Sequence, residues 1–288
     1  MKRIVPLLLI LLTSALHAEP TDSLFVEQVL KKYAEASVCD VSMTKDAGTL
    51  VAAIGKEFLG RPYVGGTLEV NAPDEALVVN TREVDCTTYV DQVLALTLTV
   101  LHGETDYAAF CRWLTELRYR CGALDGYASR LHYFTDFAQD NAEWFDFLPA
   151  ADDARCPQQK VSLSFMSTHP DSYPAMKGNP QVVSQISDIE KHYDGYSVRY
   201  IPKANTPLFA MLQEGDVVAL LTTVKGLDVS HLCIVVKEQG ELRLLHASSA
   251  VGKVIVEPRS LSAMLSSRKS CPGIRAIRLK KVQNYSSK

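Results

Sequence analysis

Cys86 stands in the run Val84-Asp85-Cys86-Thr87-Thr88-Tyr89-Val90, and the apolar residues at 89, 93, 96 and 100 that follow have a helical period. Asp85 is the N-cap this pattern calls for, and Gly103 falls just past the end. The cysteine is thereby expected in the first turn of a buried helix. There the positive end of the macrodipole and the unsatisfied backbone N–H groups favour thiolate, the form that acts as a nucleophile. The alternative for a cysteine so placed is a buried, inert thiol.

A base for that thiol is available in two histidines. The segments His231 to Val236 and Glu241 to His246 read as strands joined at Gln239-Gly240. In that register Lys237 faces Leu242 and Cys233 faces His246. His231 and His246 then share one face as diagonal neighbours, ~7–8 Å apart at the backbone and within side-chain reach. One imidazole can take the thiol proton while the other orients it. Each histidine alone could be a satisfied core residue, and the two together could be metal ligands that lack an evident third.

The elements that must position these groups fall in two blocks. Helical spacing covers Ser23 to about Ala36, Thr49 to Phe58, the Cys86 helix and about Thr105 to Arg120. Tyr63-Val64-Gly65-Gly66 forms a loop directed at a cleft, its glycines allowing close backbone approach. Residues 122–207 mix short helical patterns, such as Pro180 to His192, with Pro-, Gly- and Asp-rich loops. Strands follow at Asp216–Thr223, His231–Val236, Leu242–His246, Lys253–Glu257 and Ile274–Lys280, which predicts an antiparallel meander. Helices first and sheet afterwards is an α+β arrangement.

The chain has 288 residues, 47% hydrophobic and 22% charged, without repeats or low-complexity tracts. This excludes disordered, collagen-like and coiled-coil classes, and such a length buries roughly three quarters of its unfolded surface without a disulfide scaffold. Met1-Lys2-Arg3, the apolar run Ile4 to Leu12 and the small-residue exit Thr13 to Ala18 have the pattern of a secretory signal peptide cleaved near Ala18. The apolar run is too short to span a bilayer. The first cysteine is Cys39, so no thiol is in place there for lipid attachment. We expect an exported protein with a signal peptide over 1–18 and a single domain over 19–288. The net charge of −3, about −5 once Lys2 and Arg3 are removed, argues against nonspecific nucleic-acid binding. The seven cysteines form no C-x-x-C pair, which speaks against a zinc or thioredoxin-like motif, and their odd number leaves at least one thiol unpaired within the chain.

Taken together, Phe58-Leu59-Gly60-Arg61-Pro62-Tyr63-Val64-Gly65-Gly66, Val84 to Val90, Glu214-Gly215-Asp216-Val217-Val218, Ser230-His231-Leu232-Cys233-Ile234-Val235-Val236 and Leu244-Leu245-His246-Ala247-Ser248 resemble the NlpC-type, papain-like cell-wall cysteine hydrolases. The resemblance spans roughly residues 50 to 260. It implies Cys86 as nucleophile, His231 as base, His246 as orienting residue, and Tyr63, Asp85, Ser230 and Arg130 on the substrate or oxyanion side. Two departures stand out: Thr87-Thr88 where many members carry Ser-Gly, and 144 residues between Cys86 and His231. With Tyr119-Arg120, Gly126-Tyr127 and Ser129-Arg130-Leu131-His132-Tyr133, these resemble the enlarged N-acetylmuramoyl-L-alanine amidase-like branch. An insertion over about 104–207 is then expected to narrow the cleft. Arg130 or His132 is available to contact substrate, the alternative being a loop anchored by a buried ion pair or a satisfied histidine.

The resemblance implies a periplasmic cysteine amidase acting on the N-acetylmuramoyl-L-alanine bond of peptidoglycan or muropeptides, anhydro-muramyl fragments among them, with no metal or organic cofactor and no stable membrane anchor. Three rivals follow from the same residues. A γ-D-glutamyl-diaminopimelate endopeptidase would use the same triad, an acyltransferase would pass the thioester to another acceptor, and a noncatalytic muropeptide-binding protein would keep the cleft without turnover.

Overall fold

The computed structural model describes residues 22–39 and 46–281. The expected signal peptide lies outside the described residues. The helices are α1 (Asp22–Cys39), α2 (Ala47–Lys56), α3 (Cys86–Leu101), α4 (Tyr107–Arg118), α5 (Phe134–Asp140), α6 (Phe165–Thr168), α7 (Pro180–His192) and α8 (Leu261–Ser267). The strands are β1 (Phe145–Leu148), β2 (Gln158–Lys160), β3 (Ser197–Arg199), β4 (Ile201–Pro202), β5 (Val217–Leu221), β6 (Val229–Glu238), β7 (Glu241–Ser248), β8 (Lys253–Val256) and β9 (Gly273–Leu279). Among the described residues no helix is long and apolar enough to cross a membrane.

β5, β6, β7 and β8 form the expected meander, all antiparallel. The β6–β7 register follows from the sequence: Lys237 pairs with Leu242 and Ile234 with Leu245 across a two-residue turn. Gln239 and Gly240 both take positive φ there, 54° and 83°, as a tight primed turn between twisted strands requires. Contrary to the sequence expectation, the meander does not continue into β9. After α8 the chain crosses back to β5, giving the order β1-β9-β5-β6-β7-β8 with β4 also on β9. β1 and β4 come from the insertion, so that region completes the sheet edge as well as covering the cleft. A continuous apolar strand such as Ile274 to Leu279 carries no signal for its neighbour, and this pairing joins residues far apart in sequence.

The sheet is covered on both faces. Val217, Ala219, Ile234, Val236 and Leu245 pack with α1 to α5 in one core. Their alternates Val218, Leu220, Cys233, Val235 and Leu244 pack with α8 and the turn Thr206–Met211 in another, as period-two strands dictate. A third cluster, with Tyr127, Tyr133, Met166, Met176 and Ile186, holds the insertion together. Glu190 anchors it: one carboxylate oxygen accepts from the Tyr133 hydroxyl at 2.6 Å and from the backbone N–H groups of Met166 and Ser167, each at 3.1 Å.

Two contacts fix α2 and α3. The start of α2 meets the turn before β5 so closely that a Cβ on Gly48 would lie 2.2 Å from Glu214 O, and one on Gly215 would lie 2.1 Å from Gly48 O. Tyr89, fully buried in α3, donates its hydroxyl to Gly55 O of α2 at 3.1 Å. Cys86, Cys111, Cys121, Cys156, Cys233 and Cys271 are free thiols.

Candidate active site

Cys86 is the first residue of α3, and Asp85 is its N-cap as expected. The Asp85 carboxylate accepts from Thr87 N at 3.1 Å and Thr88 N at 2.8 Å. The Thr88 hydroxyl accepts from Asp85 N at 2.9 Å, closing a reciprocal capping box. This gives a physical role to one of the departures from the Ser-Gly pattern: glycine at 88 would have no side chain to close the box.

Tyr63 is tied beside this turn by its backbone. Val64 N donates to Val84 O at 3.1 Å, Val84 N to Pro62 O at 3.0 Å, and Tyr63 N to Gly252 O at 2.9 Å. The phenol is shifted upward by burial first, then by Cys86 and Asp85.

On the sheet, His231 follows a bulge. Leu220 pairs with His231 but Leu221 with Val229, so Ser230 is the extra residue on β6. Bulges re-aim the side chains beside them. His231 Nε2 lies 2.8 Å from His246 Nδ1, a hydrogen bond within the face predicted from the hairpin register. Cys233 adds its sulfur to the same face, with the sulfur and ring nitrogens all within 4.8 Å of one another. The third ligand that the sequence does not reveal is thus present. The imidazole nitrogens are nevertheless closer than the roughly 3.3 Å that two ~2.05 Å tetrahedral zinc bonds set, so this arrangement fits a hydrogen bond better than a metal.

Cys86, Thr87, Ser230, His231 and Leu232 line one cleft. Its opposite wall comes from the insertion, with Leu131, His132, Tyr133, Phe134 and Phe137. A second recess adjoins it, sharing Thr87, Asp91, Leu131 and His132 and adding Asp85, Tyr127 and Arg130. The two recesses meet at the N-terminus of α3.

The electrostatics reverse one expectation. The Cys86 thiol is pushed up to about 11, by burial first and by the Asp85 carboxylate second. The Leu232 and Cys86 backbone N–H groups and the Thr87 hydroxyl pull the other way without compensating. Burial, then the His246 ring and the Arg268 cation, hold His231 down at about 3. Both shifts favour thiol and neutral imidazole over the thiolate that position in a helix favours by itself.

Arg130 is 5% exposed and its guanidinium is committed: it bonds Glu69, lies 3.7 Å from Glu75, and covers the Tyr127 ring at 4.7 Å. His132 Nε2 bonds Tyr127 O at 3.0 Å. Both side chains are anchored in this way while also lining the recesses. Sequence reasoning misses Glu257, whose Oε2 lies 3.9 Å from His246 Nε2, because the residue sits at a strand end with no motif around it.

The chain belongs to the AmiA-like family of N-acetylmuramoyl-L-alanine amidase-like proteins, whose model matches residues 53–274. This is an amidase-like hydrolase class directed at peptidoglycan. The structure is similar to an N-acetylmuramoyl-L-alanine amidase from Bacteroides uniformis, at 37% identity over 82% of this chain and 99% of that one, with a TM-score of 0.75. A Bacteroides fragilis protein provisionally described as a xylanase is 42% identical over 79% of this chain and all of that one, with a TM-score of 0.73. A Legionella pneumophila protein shares the fold at 21% identity, covering 90% and 97% of the two chains with a TM-score of 0.64. No curated protein matches the chain.

Proposed function

We propose that this protein is an exported, NlpC-type cysteine amidase that hydrolyses the amide between the lactyl group of muramic acid and L-alanine in peptidoglycan fragments. The observation that carries this reading is the His231–His246 hydrogen bond of 2.8 Å in a cleft shared with Cys86 at a capped helix N-terminus. Cys86 passes its proton to His231 as the sulfur attacks the lactyl carbonyl. The tetrahedral oxyanion meets the Cys86 backbone N–H and the Tyr63 hydroxyl. His231 returns the proton to the departing alanine amine, leaving a muramoyl thioester on the sulfur. Water, deprotonated by the same histidine, then releases the sugar acid. Starting from neutral thiol and imidazole, proton transfer accompanies attack instead of preceding it.

A glycosidase reading is less well supported by the residues of the cleft. Two free carboxyl groups are the usual requirement. Asp91 is paired with Arg118 at 3.1 Å, and Asp228 accepts from Thr135 N at 2.6 Å and Val229 N at 2.8 Å.

Incubating a disaccharide-tetrapeptide muropeptide with wild type and Cys86→Ala, followed by mass spectrometry, tests the bond. Free peptide beginning with L-alanine from the wild type alone is the expected product. A cut between D-glutamate and diaminopimelate would make the protein an endopeptidase, and binding without product would make it a binding module.

A further inference from the structure

His246 Nε2 is sealed from solvent and has no hydrogen-bond partner. The nearest carboxylate is Glu257 Oε2 at 3.9 Å, and the two side chains are 1% and 8% exposed. Glu257 is held rigidly. Its backbone N–H donates to Leu244 O at 2.7 Å, and its carboxylate accepts from Arg259 Nε at 2.8 Å and from the second Arg259 nitrogen at 3.1 Å. Arg259 is fixed in turn by Ser267 Oγ at 3.0 Å.

The hydrogen bond between the two imidazoles holds one proton, and its placement decides whether the site works. With the proton on His231 Nε2, His231 Nδ1 is an open base. His246 Nδ1 then accepts, so the proton of neutral His246 sits on Nε2, beside Glu257. With the bridging proton on His246 Nδ1 instead, His231 carries its own proton on Nδ1 and is blocked as a base. His246 Nε2 then turns a bare lone pair toward a buried anion. The second arrangement is repulsive and the first attractive.

We propose that Glu257, clamped by Arg259, is a positioning residue that selects the His231–His246 tautomer in which His231 Nδ1 is the base. This rests on the cysteine-hydrolase reading above. When the Cys86 proton reaches His231 Nδ1, the positive charge is shared with His246 by shifting the Nε2 proton along the hydrogen bond, and it ends nearer Glu257. The proton that leaves Cys86 is the one delivered to the amine, so no further reactant enters. Groups facing His246 come from every neighbouring element: His231 and Cys233 from β6, Glu257 and Arg259 from the segment after β8, and Arg268 from the end of α8. Both arginines oppose an imidazolium there, and Glu257 is the carboxylate that favours it.

The test compares Glu257→Gln, Glu257→Asp and Arg259→Met with wild type in two measurements. The first is kcat and KM on the muropeptide. The second is the rate of Cys86 alkylation by iodoacetamide from pH 5 to 10, read at the Cys86 peptide by mass spectrometry, which needs no substrate. Glu257→Gln, isosteric and neutral, is expected to lower kcat at least roughly tenfold with KM within about twofold, and to move the alkylation profile to higher pH. Glu257→Asp should recover part of both effects. Arg259→Met, at a half-exposed position, frees the carboxylate from its clamp but also removes a cation that opposes an imidazolium, so it should lower kcat less than Glu257→Gln does and leave the alkylation profile near wild type; Glu257→Asp serves if Glu257→Gln fails to fold. A Glu257→Gln protein with wild-type kcat and an unshifted alkylation profile overturns the proposal. Absence of muropeptide cleavage by the wild type would count against the amidase reading alone, because the alkylation profiles still decide the role of Glu257.

Discussion

The Asp85 carboxylate and the Thr88 hydroxyl close the first turn of α3 from both sides, through bonds of 2.8 Å to Thr88 N and 2.9 Å from Asp85 N. The same carboxylate that builds the turn also raises the thiol it presents. The cap therefore has two separable effects on the Cys86 thiol. Asp85→Asn keeps the cap but removes the charge, so the Cys86 thiol should fall below about 11 and alkylate faster at pH 8. Asp85→Ala should lower the thiol similarly but cost about 1 kcal/mol of stability as well. Alkylation kinetics and urea unfolding separate the two, and identical behaviour of both variants in both measurements would contradict this division.

Tyr63→Phe removes only a hydroxyl from a partly buried ring held by backbone bonds at Tyr63, Val64 and Val84. If that hydroxyl meets the oxyanion, kcat should fall about 100-fold while KM and the melting temperature stay near wild type. An unchanged kcat would remove Tyr63 from the chemistry.

Arg130 pairs with Glu69 and Glu75 while 5% exposed, so Arg130→Ala leaves the enclosed Glu75 carboxylate and the half-buried Glu69 without their cation. Removing one partner of a buried pair costs about 3–5 kcal/mol, which denaturant unfolding would resolve. A fully stable Arg130→Ala with raised KM would instead put the guanidinium on the substrate.

Stability should also fall in mild acid. Burial is the largest cause holding His231 at about 3 and His246 at about 4, well under the ordinary histidine value. Below about pH 6.5 the unfolded chain binds protons that these folded sites refuse. Stability present at neutral pH is then lost as pH falls from about 6.5 toward the folded values, by about 1.4 kcal/mol per pH unit for each histidine. Glu75, Asp91 and Asp216, raised by burial, take up protons earlier in the folded state and offset part of this loss nearer pH 4. Urea midpoints at pH 7.5 and 5.5 check the sign, and a higher midpoint at pH 5.5 would contradict it.

What the sequence makes legible is mostly local. The α3 cap needs only Asp85 and the period after it. The His231–His246 face needs only a two-residue turn at Gln239-Gly240 and the alternation of strands. The β9–β5 pairing, the edge strands β1 and β4, and the Glu190 anchor join segments far apart in the chain, where composition and period carry no partner information. Glu257 is hidden for the same reason, since its meaning depends on β8 lying beside β7. The protonation of Cys86 is a different kind of failure: helix position is readable, but the degree of burial that outweighs it is a property of the packed cleft.

The central claim is that Cys86 takes up the muramoyl group. Acid quenching of the wild type during turnover of a disaccharide-tetrapeptide muropeptide, followed by peptide mapping, tests it most directly. The account predicts a Cys86 peptide heavier by the muramoyl-containing sugar acid acyl group, with no amino acid attached. An adduct that includes L-Ala-D-Glu, an adduct on another residue, or turnover persisting in Cys86→Ala would contradict it.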